Sequence, residues 1–222
     1  MQVLLTIGYD GDRDSLERAL VAEATSFVSG GNARRAAVNV RVGGEEWEQL
    51  EEFNNEHDAM AMVKLWDPVS TDAALKFPLP DGARLVGAYE SDEVVQKEYE
   101  QTWPSGTPSP GVKLVCLVRR TPEISHQQYL DHWRNNHGPL AVRVQPGFWH
   151  YVQNHVSDWV TDDTPDFDGL GELHFQTVDD VFNGMYADEE SERLIFEEIP
   201  RFMVKELSTV IATKETLIGR SG

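Results

Sequence analysis

The 222-residue chain carries 38 acidic and 19 basic side chains, which gives a formal net charge of −19 at pH 7. This charge repels phosphate backbones and anionic lipid, so nucleic acid and membrane surfaces are excluded as expected partners. A single cysteine, Cys116, rules out an internal disulfide; with no secretory signal pattern and no long apolar run, it predicts a protein of the reducing cytoplasm.

The predicted elements follow the same order in each half of the chain. Strands are predicted over residues 3–9, 35–42, 59–66 and 84–89, and again over 112–119, 149–156, 171–176 and 209–217. A helix over residues 14–27 is indicated by the helical spacing of Leu16, Leu20, Ala24 and Phe27. A second helix begins near Ser125, and a further helical stretch precedes the last strand. The order is βαββαβ, twice.

Residues 101–111 contain three prolines and two glycines, which cannot continue a helix or a strand ladder. We expect a linker here, between one domain over residues 1–100 and another over 112–222. Each βαββαβ unit is typical of the α+β ferredoxin-like fold. Tandem ferredoxin-like repeats predict a dimeric or pseudo-dimeric α+β barrel, with the halves paired within one chain or in a homodimer.

The helix that starts at Ser125 has the clearest candidate site. Tyr129, Trp133, His137 and Leu140 recur at helical spacing, so an aromatic face leads to a histidine. Gly138-Pro139 predicts a break or kink directly after His137. A histidine at a helix end can titrate near neutrality and suits a general acid or base. The alternative is that His137 only caps the last carbonyls of the helix.

Residues 112–156, VKLVCLVRRTPEISHQQYLDHWRNNHGPLAVRVQPGFWHYVQNHV, and 169–176, GLGELHFQ, resemble the EthD family of dimeric α+β barrel proteins. The shared features are Tyr-x3-Trp-x3-His-Gly-Pro-Leu, the Tyr-Val-Gln-Asn-His strand and Glu-Leu-x-Phe. The resemblance covers roughly residues 112–218. The N-terminal half has no His-Gly-Pro-Leu counterpart and is interpreted as a diverged repeat without a site of its own.

The resemblance implies a cofactor-free protein in which His137 and Tyr151 border a pocket between sheet and helices. Glu172 matches the Glu-Leu-x-Phe pattern and is the third catalytic candidate; the alternative is an interface hydrogen bond. Strand alternation places Trp149, Tyr151, Gln153 and His155 on one face, although His155 could equally be an exposed residue at a strand end. The expected substrate-binding residues are Tyr129, Trp133, Trp149, His155, His174 and Phe175.

No metal site is expected, because His132 and His137 are five residues apart and no His-Glu-x-x-His motif or cysteine pair occurs. Phosphate-binding glycine loops are also missing.

The leading hypothesis is a cofactor-independent lyase, most simply a decarboxylase, for an aromatic or polyketide-like compound. In this hypothesis His137 moves the proton and Tyr151 supports an oxyanion. A cyclase, dehydratase or isomerase would need the same groups. A haem-binding or haem-degrading protein and a non-catalytic binding or assembly protein are the remaining alternatives.

Overall fold

The structure is a computed structural model that describes residues 1–53 and 58–219. Its strands are β1 (Gln2–Gly8), β2 (Arg35–Arg41), β3 (Ala61–Trp66), β4 (Arg84–Lys97), β5 (Val112–Val118), β6 (Phe148–Trp159), β7 (Gly169–Phe175) and β8 (Thr209–Ile218). Its α-helices are α1 (Arg13–Ser29), α2 (Thr71–Ala74), α3 (His126–His132), α4 (Gly138–Val144), α5 (Val178–Phe182) and α6 (Glu189–Glu198). A π-helical turn, Trp133–His137, joins α3 to α4, and 3-10 turns occupy Glu45–Phe53, Ile199–Arg201 and Lys205–Leu207.

The eight strands form one closed antiparallel barrel in the order β1-β3-β2-β8-β5-β7-β6-β4. Two seams join the halves of the chain. At one seam β2 pairs with β8, and Asn39 lies opposite Glu215; at the other β4 pairs with β6, and Val95 lies opposite Val152. The β4–β6 pairing has register shifts between Glu90 and Ser91 and between Val95 and Lys97. Both seams are nevertheless paired, so these strands have no free edge in the barrel.

The predicted fold class, tandem ferredoxin-like repeats forming a dimeric or pseudo-dimeric α+β barrel, is wrong. The structure is a single closed eight-stranded β-barrel with few helices. Each predicted strand overlaps an observed one, but the described residues of the first half form no second full helix, since α2 has only four residues. Strand β4 also continues to Lys97, well past its predicted end at residue 89. The additional residues of β4 pair with β6. This pairing satisfies backbone N–H and C=O groups that an unpaired edge strand would leave free.

The interior of the barrel has an apolar end and a polar end. Strand alternation directs one set of side chains inward, and the apolar end is filled by a single cluster around Leu4, Met62, Tyr89, Val115 and Ile211. The polar end contains the buried charged residues Lys64, Lys113, Glu172 and Glu215. Burying charges is costly unless they are paired, so this end requires an organised network.

Helices cover the outer face of the barrel. Asp12 caps α1 by accepting a hydrogen bond from the backbone N–H of Ser15 at 2.9 Å. Leu16, Leu20 and Ala24 of α1 are completely buried against β1, β2 and β3. The buried residues of α1 have the helical spacing that the sequence predicted, and they pack against the strands without leaving a pocket.

The segment predicted as a linker runs alongside the barrel. Gly106 donates a backbone hydrogen bond to Leu217 O at 2.7 Å, and Ser109 donates one to Glu215 O at 2.7 Å. Pro108 also forms an isolated bridge to Thr216 of β8. The prolines and glycines therefore prevent regular structure, as expected, while the segment remains attached to β8. The division into domains at residues 101–111 stays a prediction.

Candidate functional site

A cavity of about 860 Å³ lies between the outer face of the C-terminal strands and the helices that cover them. We call it the helix pocket. Its floor is formed by Leu114 and Cys116 of β5, Gly171 and Leu173 of β7, and Val210 of β8. Trp133, His137, Tyr151, Ile195 and Phe202 are among its walls. The pocket therefore has a flat, largely apolar floor with a few polar groups at its sides, which is typical of a small-molecule site.

The helix above the pocket continues through His137. Ser125 and Gln128 form the predicted capping box, with Gln128 N donating to Ser125 Oγ at 3.2 Å and Ser125 N donating to Gln128 Oε1 at 2.8 Å. At Gly138 the backbone N–H donates to Trp133 O, five residues earlier, and α4 continues to Val144. The sequence predicts a break or kink after His137; the helix does not break there, and its irregularity is the π-helical turn, which accommodates Pro139, a residue without an N–H.

His137 is held by a carboxylate that sequence reasoning missed. His137 Nδ1 lies 2.5 Å from Glu198 Oε2, and the other oxygen of Glu198 contacts His132 Nε2. Burial raises the pKa of Glu198, but the hydrogen bonds and charges of both histidines outweigh it and lower that pKa overall. Glu198 is therefore an ionised acceptor between two imidazoles. It orients His137 with Nδ1 as donor and leaves Nε2 without a partner among the described residues.

A signal for Glu198 exists in the sequence. Ser191, Ile195 and Glu198 are the buried residues of α6, at helical spacing. A glutamate on the apolar face of an otherwise acidic helix indicates a buried partner. That signal was hidden because the surrounding run of acidic residues looks like a solvated surface.

Tyr151 is positioned by two donors. Its hydroxyl oxygen accepts a hydrogen bond from Trp133 Nε1 at 3.0 Å and another from Gln153 Nε2 at 3.1 Å. Burial raises the pKa of Tyr151 and outweighs the lowering effect of these bonds. The hydroxyl therefore stays protonated, and its own proton is left to donate. Both His137 and Tyr151 line the helix pocket, where the sequence places them.

Two glycines of β7 make room for the aromatic face of α3. A Cβ added at Gly169 would lie 2.3 Å from the Trp133 ring and 2.6 Å from the Tyr129 hydroxyl. At Gly171 the nearest atom would be a Trp133 carbon at 3.4 Å. Trp133 thus packs directly on the strand backbone. Tyr129 is completely buried and does not line the pocket.

Glu172 and His174 lie inside the barrel, on the face of β7 opposite the helix pocket. Glu172 accepts hydrogen bonds from Lys64 at 2.8 Å, Lys113 at 2.7 Å and Asn154 at 2.8 Å. Burial raises the pKa of Glu172, but the two lysines hold it well below its usual range. His174 Nε2 contacts Pro110 O at 2.9 Å. The structure therefore does not bring either residue together with His137 and Tyr151.

The other three predicted binding residues lie in three different places. His155 is buried under α3, where its ring stacks on Trp133 at a centroid distance of 5.2 Å and its Nε2 lies 3.1 Å from Gln153 Oε1. Phe175 is buried beside Phe148 in the core below the pocket. Trp149 instead lies against Tyr99 and His174, because a bulge between Phe148 and His150 changes the strand alternation.

A second cavity, of about 1020 Å³, opens at the polar end of the barrel interior. We call it the mouth cavity. Its floor includes Lys64, Lys113, Glu172 and Glu215, and its walls include Trp66, Tyr99, Trp103 and His150. Tyr99 and Trp103 stack in parallel at 5.4 Å, with Trp149 5.2 Å from Tyr99. The segment after β4 thereby contributes an aromatic wall to the open end of the barrel.

Within residues 1–53 and 58–219, no three His, Cys, Asp or Glu side chains are grouped so that they could hold a metal ion. The helices of that same part of the chain are all too short or too polar to cross a membrane.

Residues 121–206 match the EthD domain family. The matched segment carries α3 to α6 with β6 and β7, and thus contains His137, Tyr151 and Glu198. It is less than half of the chain, and the N-terminal half lies outside it. No curated protein matches the chain significantly.

Three solved structures share the fold over nearly the whole chain. An anthrone oxidase-like protein has a TM-score of 0.58 and 10% identity, covering 99% of this chain and 94% of its own. A candidate monooxygenase from Lactobacillus acidophilus has 0.53 and 8%, covering 98% and 94%. A mutant chlorite dismutase from Candidatus Nitrospira defluvii has 0.50 and 10%, covering 97% and 90%. Identities this low show the fold alone.

Proposed function

We propose that the protein is a cofactor-independent enzyme that removes a proton from a saturated ring carbon of an uncharged polycyclic aromatic ketone. The observation that carries this proposal is the Glu198–His137 pair, whose imidazole lines a largely apolar pocket. Glu198 accepts from Nδ1, so the unpartnered Nε2 is the base. A carboxylate that orients a histidine in this way also stabilises the imidazolium formed when the proton is taken.

Tyr151 supplies the second element of the chemistry. The proton passes from carbon to His137 Nε2, and the electron pair left behind delocalises through the ring onto the ketone oxygen. Tyr151 O–H donates a hydrogen bond to that oxygen, because its two acceptor positions are already used by Trp133 and Gln153. A fixed donor aimed at a developing oxyanion strengthens binding of the transition state more than of the ground state.

The charges around the pocket favour an uncharged substrate. Asp188, Glu189 and Glu192 line it, while Lys205 is the one basic side chain among its lining residues. A substrate carboxylate would meet more repulsion than attraction at this rim. This supports deprotonation, as in an isomerase, above the decarboxylation expected from the family resemblance.

The same residues do not fit a haem. Its two propionates are anionic, and a single lysine faces three carboxylates at the rim. His137 donates its Nδ1–H to Glu198 and leaves Nε2 unpartnered among the described residues. An iron-ligating histidine has the same arrangement, so it is the charge of the rim that disfavours haem. We therefore derive no step through such a group.

Deuterium exchange into anthrone tests the proposal. Anthrone is chosen because a protein of this fold is described as anthrone oxidase-like, and because its methylene proton leaves an anion delocalised over three rings. In heavy water under argon, we expect the enzyme to accelerate exchange, and His137→Ala to slow it by about 10²- to 10⁴-fold. Glu198→Gln is expected to slow it by about 10- to 100-fold, and Tyr151→Phe by about 100-fold.

Matched controls separate chemistry from folding. Glu197→Gln removes the same charge from the exposed side of α6, and Tyr9→Phe removes a hydroxyl on the N-terminal half; neither should change the exchange rate. Circular dichroism checks that all variants fold. Equal deuterium-exchange rates for wild type, His137→Ala and Tyr151→Phe would instead support the hypothesis of a non-catalytic binding or assembly protein. Release of carbon dioxide from a carboxylated anthrone, dependent on His137, would restore the decarboxylase hypothesis.

A further inference from the structure

The residues that line the mouth cavity carry hydrogen-bond donors that the fold itself does not use. Lys113 Nζ bonds to one oxygen each of Glu172 and Glu215, which leaves its third N–H without an acceptor in the part of the chain that the structure describes. Arg35 Nε and Trp103 Nε1, on residues of the same lining, are buried and unpartnered. Buried donors without acceptors are destabilising, so they indicate a missing partner that carries oxygen acceptors.

The charge of the lining limits what that partner can be. Four basic and five acidic side chains line the cavity, one negative charge in excess. The two buried lysines are already neutralised, Lys64 by Glu93 and Glu172 and Lys113 by Glu172 and Glu215. An added anion would meet an excess of carboxylates in a medium of low dielectric constant, where repulsion is strong. The ligand that fits is therefore uncharged.

The walls indicate the shape of the ligand. Trp66, Tyr99 and Trp103 present rings to the cavity, and His150 contacts Tyr99 at a centroid distance of 4.2 Å. Burial is the largest of the effects that lower the pKa of His150 to about 3, so this ring is neutral at physiological pH. Aromatic walls with neutral edges favour a planar ring system that stacks on them.

We propose that the mouth cavity is a second ligand site, which binds an uncharged planar aromatic molecule carrying carbonyl or phenolic oxygens. The ring system stacks on the wall formed by Tyr99 and Trp103. Its oxygens accept hydrogen bonds from the third N–H of Lys113 and from the indole N–H of Trp103. This site lies inside the barrel, on the opposite side of the sheet from the helix pocket, and does not depend on the reaction proposed there.

Calorimetric titration with a hydroxyanthraquinone counts the two sites separately. Val95→Trp places a large ring at the mouth cavity from a position that is 40% exposed, which spares the buried charges. Leu173→Trp fills the helix pocket from its floor. We expect two ligands per wild-type chain, one for each single variant and none for the double variant. Val69→Trp, at a 67% exposed position outside both cavities, is the matched control and should keep two.

Two further measurements identify the chemistry of the site in the Leu173→Trp background, where the mouth cavity alone remains. Trp103→Phe keeps a smaller aromatic ring for stacking and removes the indole N–H, and we expect Kd to rise by about 3- to 10-fold. An anthraquinone carboxylate should bind at least about 10-fold more weakly than the uncharged compound. Unchanged stoichiometry in Val95→Trp, or tighter binding of the carboxylate, would overturn the proposal. Loss of the helix-pocket site alone would leave it standing.

Discussion

Helices cover the outer face of the barrel on both halves of the chain, but one side is filled and the other is hollow. On the N-terminal side, Leu16, Leu20 and Ala24 of α1 are fully buried against β1 to β3. On the C-terminal side, the helices from α3 to α6 enclose the helix pocket, with His137 and Tyr151 at its walls and Glu198 bonded to His137. The comparison teaches that a helix packed on a sheet can serve stability or function, depending on whether its side chains fill the interface.

Two local features produce the difference. The C-terminal helix contains a π-helical turn at Trp133–His137, whereas α1 is regular over its 17 residues. Gly169 lets Trp133 lie directly on the strand. Trp133 and Tyr129 thus fix one end of the C-terminal helix against β7. Beyond Gly171, the strands that form the floor of the helix pocket are not covered by helix side chains. π-helical turns are frequent at functional sites because they change the direction of the side chains that follow.

The largest expected effect separates the filled side from the hollow side. Leu20→Ala on α1 leaves a cavity in close-packed surroundings and should lower the free energy of unfolding by about 2–5 kcal/mol. Leu173→Ala, on the pocket floor, removes a side chain that already borders empty space and should cost less than half as much. Urea unfolding measures both. Equal losses would mean that the helix pocket is packed as tightly as the N-terminal face.

A smaller effect should follow from the close approach of Trp133 to β7. Gly169→Ala places a methyl group 2.3 Å from the Trp133 ring and should cost about 1–3 kcal/mol by overpacking. It should also displace α3 and weaken ligand binding in the helix pocket. Gly171→Ala on the same strand meets its nearest atom at 3.4 Å and serves as the control, with little change expected. Similar thermal unfolding curves for the two variants would contradict this account of the packing.

A third effect is a gradual one with pH. Burial, more than the nearby Arg134, lowers the pKa of His155 from 6.5 to about 4. Between these values the unfolded chain binds more protons than the folded one, so stability rises with pH and is lost as pH falls from about 6.5 towards 4. Hydrogen exchange should show α3 losing protection in this range before α1. His155→Gln should reduce that loss; an unchanged profile would assign the acid sensitivity to another group.

Much of the barrel could be predicted from the sequence because alternating apolar residues mark strands locally. All eight strands were predicted near their observed positions, and the spacing of Leu16, Leu20, Ala24 and Phe27 gave α1 its buried face. His137 and Tyr151, which the family resemblance leads us to expect at one pocket, both line the helix pocket. Their catalytic roles stay predictions.

The partners of those residues could not be predicted, because they come from distant parts of the chain. Glu198 reaches His137 across 61 residues, and Lys64 reaches Glu172 across 108. Alternation along β6 failed at Trp149, since a bulge depends on the pairing with β7 and not on the residue itself. Glu172, for which a catalytic role and a structural hydrogen bond were both open, lies inside the barrel and away from His137, because both faces of a barrel strand can be covered.

The sequence by itself determined the strands, the apolar face of α1, the capped start of α3 and the acidic surface, since each of these follows from residues close together in the chain. Only the tertiary structure decided that the strands close into one barrel, that a carboxylate of α6 holds the histidine above β6, and that the segment after β4 lines a second cavity. Pairing between strand edges and between buried charges joins groups that are far apart in sequence. Their contribution to stability therefore depends on the closed barrel that brings them together.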